Sequence, residues 1–402
     1  MNLLEGVTVA SFNHFLAGPA GAQILGDLGA DVIAVEPLDG AFHRNWAVNG
    51  TFVDGQSVNF ISTGRNKRSV AFDLKSEAGQ EIARRLVAKV DVVMENFRPG
   101  TMAKLGLGYD DVKVLNPRVI YASASGYGSS GPYRDKPGQD LLVQAISGLA
   151  ARTGRADGPP TPSGPTVSDH HTGAFYALGV LAALIGRGRT GKGCLVEVDL
   201  LSAALDVQFE SLVCWLNGGR SPSPRGAGNL AAWYSPAPYG IHATKDGHVA
   251  ISMGPMKPLA EAFGLPELAA YSEKDQFDKR AEIVAKIRPE VAARPTAHWL
   301  EVFGRLGIWH AKVQDYDEVV VDAQVRHNRM IQTMPGATGV PITMVMHPVR
   351  YDGQVPEVRL VPQPLGAQTR DVLAELGYSA DRVDEFEAAG VIRTHPGQPA
   401  AE

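Results

Sequence analysis

From Gly6 to Pro37 the chain reads strand, helix, strand, and that order narrows the fold more than any other stretch. Val7–Phe12 is an apolar run, Pro19–Leu28 is compatible with a helix and is followed by Gly29, and Asp31–Glu36 is a second apolar run closed by Pro37. Proline in the first turn of a helix and glycine just past its end mark the boundaries a helix favours. A helix between two strands makes them parallel, because the crossover returns the chain to the same end of the sheet. The pattern continues with a helix over Glu77–Ala88 and strands over Asp91–Met94 and Val119–Ser123. Strands alternating with helices predict an α/β fold with a parallel sheet covered on both faces. A dinucleotide site does not follow. Glu36 stands where a ribose ligand would, but Ser11–Gly18 sets bulky side chains where a GxGxxG turn lets backbone approach a pyrophosphate.

At 402 residues the chain is long enough for two domains. The predicted large domain covers residues 1–205 and is completed by 340–402. Residues 206–236 read as a linker marked by Pro222, Pro224, Gly226 and Gly228, 237–325 as a small α+β domain, and 326–339 as the return linker. The small domain opens with a strand pair, Gly240–Thr244 and His248–Ser252, turning at Asp246-Gly247. A long helical stretch is expected to Trp215, short strands over Pro341–Leu360, and a helix over Thr369–Leu376 before a tail rich in proline and glycine.

Charged residues make up 20% of the chain, the formal net charge is -5, and both signs are interspersed, so no nucleic-acid groove is expected. Cys194 and Cys214 stand apart from any CxxC or Cys/His cluster; they read as buried free thiols of a reducing compartment, with no metal site. The first residues lack the basic and apolar regions of a signal peptide, and no run of about 18 apolar residues occurs. The expectation is a cytoplasmic protein without a membrane segment.

One helix start carries a carboxylate. Ser168-Asp169-His170-His171-Thr172-Gly173 precedes an apolar run to Ile185 and a Gly-Arg-Gly-Arg-Thr-Gly exit. Asp169 reads in two ways: as a helix cap contributing about 1 kcal/mol, or as a nucleophile held ionised by backbone N–H groups and the positive end of the helix dipole. The local pattern fits both. Arg65-Asn66-Lys67-Arg68 fits a phosphate loop or a solvated turn equally. Asn96-Phe97-Arg98-Pro99-Gly100 stands at a strand end, where open α/β sheets bind ligands, with Lys104 close behind. Asp140, in Gly138-Gln139-Asp140, reads as a helix cap. His14, His170 and His171 read as structural, since adjacent helical residues diverge too far to share a metal. No GxSxG elbow is present for a serine nucleophile.

Taken together, several collinear segments resemble the family III coenzyme A transferases, the formyl-CoA transferase and carnitine CoA-transferase group. They are Leu4–Val9, Ala17-Gly18-Pro19, Leu28–Pro37, Asn66–Lys75, Glu95–Gly100, Asn116–Ser123, Asp169 with Thr172-Gly173, Arg189–Gly193, Leu376–Ser379 and Ala389–Ile392. The resemblance spans nearly the whole length. It implies a large Rossmann-like domain, a small domain, and an interlaced homodimer. It implies that Asp169 attacks an acyl-CoA thioester, forming an aspartyl anhydride and then an aspartyl-CoA thioester, from which an acceptor acid takes the coenzyme A. No permanently bound cofactor is implied; the CoA thioester is a substrate.

By motif position, the resemblance assigns CoA contacts to His14, Phe15, Ala17, Phe72, Lys75, Asn96, Phe97, Arg98 and Lys104. Gly226 and Gly228 are candidates for a loop covering the intermediate. Arg44 is a candidate for reading the distal carboxylate of a small dicarboxylate such as succinate, or for a structural ion pair. The related α-methylacyl-CoA racemases need a histidine where this chain has Gln139, and glutamine cannot carry a proton. A racemase-like isomerase is therefore the runner-up reading, and a catalytically silent CoA-binding protein is a further alternative.

Overall fold

The computed structural model describes residues 2–219, 225–226 and 230–395. They form two compact units: residues up to 143, 166–207 and from 324 onward make one, and 144–165 with 208–323 make the other.

The first unit is built on a seven-stranded sheet. In chain order its elements are β1 (Thr8–Phe12), α1 (Ala17–Asp27), β2 (Asp31–Glu36), β3 (Lys67–Phe72), β4 (Val92–Glu95), β5 (Ile120–Ser125), α2 (Val167–Thr190), β6 (Cys194–Asp199) and, near the end, β7 (Ile392–Arg393). The spatial order is β7-β3-β2-β1-β4-β5-β6. All neighbours are parallel except β7, which runs antiparallel to β3. Side chains of successive strand residues face opposite sides, so Val9 enters the core beneath α1 and α2 while Ala10 enters the core beneath the helices Glu77–Lys89 and Ala380–Ala388. From β1 the chain moves outward to β2 and β3, then returns to β4 on the other side of β1. The crevice beyond the ends of β1 and β4 is therefore a topological switch point, where open α/β sheets place ligands.

Helices α1 and α2 cross at glycine. A Cβ built on Gly21 would lie 3.0 Å from the Gly173 carbonyl, and one on Gly173 would lie 3.0 Å from the Ala17 carbonyl. Tyr176, fully buried one turn later, donates to the Ala122 carbonyl (2.7 Å) and accepts from the Glu95 N–H (2.9 Å), pinning α2 to β4 and β5.

The second unit has a three-stranded antiparallel sheet, Gly240–Ala243, His248–Ile251 and His310–Lys312. One face is covered by helices that bring Leu259, Phe263, Ile287, Trp299 and Phe303 against Val249 and Ile251.

Several boundaries differ from the sequence reading. Residues 144–165 group with the second unit rather than with 1–205, because Arg225 donates to the carbonyls of Ala151 (3.0 Å), Arg155 (2.7 Å) and Gly158 and so ties that segment down. The expected linker 206–236 contains the helix Phe209–Leu216, separate from Leu200–Asp206 before it. The expected return linker 326–339 carries the strand Ile331–Pro335, paired with Pro341–Val345. No named strand follows Val345 before β7 among the described residues. The expected tail holds the helix Ala380–Ala388 and the edge strand β7, which complete one side of the core.

Gly173→Val should lower stability by about 1–3 kcal/mol, the usual cost of overpacking. Gly188→Ala, on an open part of the same helix, should raise it by about 0.5–1 kcal/mol. Urea midpoints of the two variants check the pair.

Candidate active site

The turn after β1 and the loop after β4 are clamped to each other. The His14 N–H donates to Asn96 Oδ1 and Asn96 Nδ2 donates back to the His14 carbonyl, both at 2.8 Å. The His14 ring sits between Phe15 and Phe97, with centroids at 5.1 and 5.2 Å, and burial lowers its pKa, so the imidazole is neutral near pH 7. The Phe97 N–H donates to Glu95 Oε2 (2.9 Å). Phe15 takes a left-handed backbone (φ 61) that bulky residues rarely adopt, and its half-exposed ring meets Phe42 at 4.6 Å, which in turn stacks on Trp46. Sequence reading found the turn but not this aromatic row. Ala17, the first residue of α1, is buried against Gly173.

The remaining assigned contacts divide. Lys75, Arg98 and Lys104 are exposed near the ends of β3 and β4. The Phe72 side chain is 1% exposed and packed in the core, with its backbone facing Ile392 of β7, so it presents no ring to a ligand. Gln139 is exposed, and its carbonyl caps the Val143 N–H. Gly226 is buried in the second unit, where its carbonyl accepts from the Ala156 N–H (3.2 Å); a Cβ there would lie 3.0 Å from the Leu230 carbonyl. Gly226 thus serves local packing, and Gly228 lies outside the described residues. Arg44 takes the structural of its two readings. Its guanidinium grips both oxygens of buried Glu36 (2.7 Å through Nη2), donates to the Gln363 carbonyl (2.9 Å) and lies 3.6 Å over the Phe60 ring. It is not available to a substrate carboxylate, and Glu36 is not available to a ribose. Among the described residues no group of three or more His, Cys, Asp or Glu could hold a metal ion.

Asp169 lies in the first turn of α2 but does not cap it. Asp140 does so from outside: its Oδ1 accepts from the backbone N–H of Ser168 (2.8 Å) and of Asp169 (3.2 Å). The sequence reading made Asp140 the cap of the helix it leads into; instead it is the first residue of that helix, Asp140–Ile146, and serves the start of α2. What places it there is a backbone crossing between Gly126, just after β5, and Gly138; a Cβ on Gly138 would lie 2.4 Å from the Gly126 Cα. The Asp169 carboxylate has no hydrogen-bond partner among the described residues. Burial, and then the neighbouring Asp140 charge, push its pKa up to about 7. The expectation of a carboxylate held firmly ionised by the helix end is therefore corrected: Asp140 occupies the free N–H groups, and Asp169 titrates near neutrality. His171, two residues on, pairs with Asp206 at 2.7 Å.

A folded-state pKa of about 7 against the ordinary 3.8 means that folding favours the protonated acid. That stabilisation is present at pH 4 and lost as pH rises through about 7. Asp169→Asn, which never ionises, should therefore be more stable than the wild type at pH 8, by on the order of a few kcal/mol, with the difference closing toward pH 4. Denaturant unfolding at the two pH values reads it.

Residues 4–369 match the family described as CoA-transferase family III. The succinyl-CoA:glutarate CoA-transferase of Mus musculus is 35% identical, over 98% of this chain and 91% of its own length. The acetyl-CoA:oxalate CoA-transferase of Acetobacter aceti is also 35% identical, over 87% of this chain and 89% of its own. The crystal structure of a CAIB/BAIF family protein from Brucella suis superposes with a TM-score of 0.81 at 30% identity, covering 94% of this chain and all of that one. Matched over residues 4–369 and 35% identical to a relative along nearly its whole length, the chain belongs to CoA-transferase family III.

Proposed function

We propose that this enzyme moves coenzyme A from an acyl-CoA to a carboxylic acid through covalent intermediates on Asp169. The carboxylate attacks the thioester carbonyl, giving an aspartyl–acyl anhydride and CoA thiolate. The thiolate attacks the aspartyl carbonyl, releasing the donor acid and leaving an aspartyl-CoA thioester. The acceptor carboxylate attacks that thioester, and the thiolate released takes the acceptor acyl group from the second anhydride, restoring Asp169. Every bond made replaces one of similar reactivity, so the sequence needs neither ATP nor a resident cofactor.

The observation that carries this reading is the raised pKa of a carboxylate with no hydrogen-bond partner. An ordinary carboxylate is far less basic than a thiolate, whose pKa is about 8.5, and attack on a thioester is correspondingly uphill. Raising Asp169 to about 7 narrows that gap. The cost is partial protonation at neutral pH, and the lack of donors leaves the oxygen lone pairs free for attack.

On this reading His14, Phe15, Ala17, Asn96 and Phe97 line the CoA crevice and Lys75, Arg98 and Lys104 meet its phosphates, supported by their place at the switch point. The enzyme works as an interlaced homodimer. Apolar stripes at helical spacing support this: Phe175, Leu178 and Ile185 on α2, and Phe209, Val213 and Leu216 on the helix Phe209–Leu216, are all exposed in the single chain. One CoA partner is a small dicarboxylate, a reading supported by the succinyl-CoA:glutarate activity for which a relative is named, with a cation other than Arg44 reading its far end. Cys194 is exposed and Cys214 half-buried, not buried as expected, but both are free thiols and fit a cytoplasmic setting.

Incubation with a panel of acyl-CoAs, quenching with hydroxylamine and peptide mapping should place a hydroxamate on Asp169; a panel that leaves Asp169 unmodified argues for a silent CoA-binding protein. The same panel paired with carboxylic acids identifies donor and acceptor. kcat/KM should rise with pH through about 7 as Asp169 ionises. Asp140→Asn keeps an acceptor for the helix N–H groups but removes the charge, so it should move that limb to lower pH.

A further inference from the structure

Lys67 is a buried lysine that the chemistry above does not use. It sits at the start of β3 and donates at 2.7 Å to two backbone carbonyls, those of Pro19 and Thr63. An ammonium has three donors, so one remains. Burial pulls its pKa down to about 7, with Asp27 and Glu36 opposing the fall. Beside it lies a cavity of about 20 Å3, lined also by Asn13 and His43. Asn13 and His43 are 8% and 7% exposed, and Asn13 Oδ1 and His43 Nδ1 are buried with no hydrogen-bond partner among the described residues. Burial drives the pKa of His43 down to about 3, so its ring is neutral and Nδ1 can donate or accept.

A cavity needs roughly 10–15 Å3 and two to four polar partners to hold a water. This one has the room and three partners whose hydrogen-bonding capacity is unfilled. Asn13 is fixed in place: its Nδ2 donates to Ser11 Oγ (2.9 Å), and its amide occupies the space a side chain at residue 18 would need.

Asn13, just after β1, and Pro19, in the first turn of α1, thus both line the cavity beside Lys67. We propose that Lys67 is a positioning residue for this turn, acting directly on the Pro19 carbonyl and, through one water bound in the cavity, on the Asn13 side chain beside His14. The water accepts from Lys67 Nζ and donates to Asn13 Oδ1, with His43 Nδ1 as its third partner. Its functional consequence rests on the reading that the turn binds coenzyme A.

Two measurements test the link. A high-resolution crystal structure of the unliganded chain should show one water within about 2.7–3.2 Å of Lys67 Nζ, Asn13 Oδ1 and His43 Nδ1; a dry cavity overturns the proposal. Calorimetric titration with free coenzyme A should show Lys67→Met and Asn13→Ala each weakening binding by about tenfold, and the double variant by no more than the stronger single, because both break one connection. A multiplicative loss of about a hundredfold, or unchanged affinity with only a lower melting temperature, overturns it. Asn13→Ala leaves the ammonium in place and carries the test should Lys67→Met not fold. His14→Ala separates the two readings: if it leaves affinity unchanged, the turn does not bind coenzyme A, and the crystallographic water alone decides the link.

Discussion

Backbone contact between α1 and α2 at Gly21 and Gly173 is the constraint from which the site follows. Asp169 is four residues, about one turn, ahead of Gly173, and Ala17 begins the helix on the other side. Residues with side chains at the crossing would hold the two helices apart, and with them the first turn of α2 and the turn after β1. Because β1 and β4 flank the switch point, that same turn meets the loop after β4 through the paired His14 and Asn96 bonds. One close crossing and one pair of hydrogen bonds therefore bring three separate stretches of sequence together.

The site sets two electrostatic demands against each other. A helix start favours negative charge, and a carboxylate placed there ordinarily ionises well below neutrality. Here the favourable N–H groups are taken by Asp140, a second carboxylate, and Asp169 is left with burial and like charge. The net effect is a group that is neither fully protonated nor fully spent as an anion near pH 7. A nucleophile for a thioester gains from that compromise: basicity rises toward that of the leaving thiolate while a usable fraction stays ionised. Arg44 and Glu36 follow a different logic, since a bidentate buried pair beneath the same sheet end is satisfied internally and contributes rigidity rather than recognition.

Much of the first unit was legible in the sequence. The runs Val7–Phe12, Asp31–Glu36 and Asp91–Met94 are apolar because both sheet faces are covered, and such runs stand out without an alignment. Segments whose partners are remote in sequence were not legible. β7 is two residues long and is defined only by pairing with β3, some 320 residues earlier in the chain. Ile331–Pro335 passed for a linker because its pairing partner, not its composition, makes it a strand. At the site, Asp169 and the Asn96 loop could be found by position, yet the role of Arg44 depended on the buried Glu36 beside it. Asp140 could be recognised as a cap, but which helix it serves depends on the contact between Gly126 and Gly138, which no local pattern reports. The Phe72 side chain illustrates the reverse case: a motif position near a ligand loop need not turn its side chain toward it.

The central claim is that the carboxyl group of Asp169 is broken open and rebuilt in each turnover. Oxygen from the acceptor acid must then enter the protein. With an acceptor acid labelled with 18O in both carboxyl oxygens, a single turnover should leave one labelled oxygen on Asp169 and nowhere else in the chain, read by mass spectrometry of the peptide that contains it. Transfer at the normal rate with the second labelled oxygen appearing in the released donor acid or in water, and none on Asp169, would contradict the account.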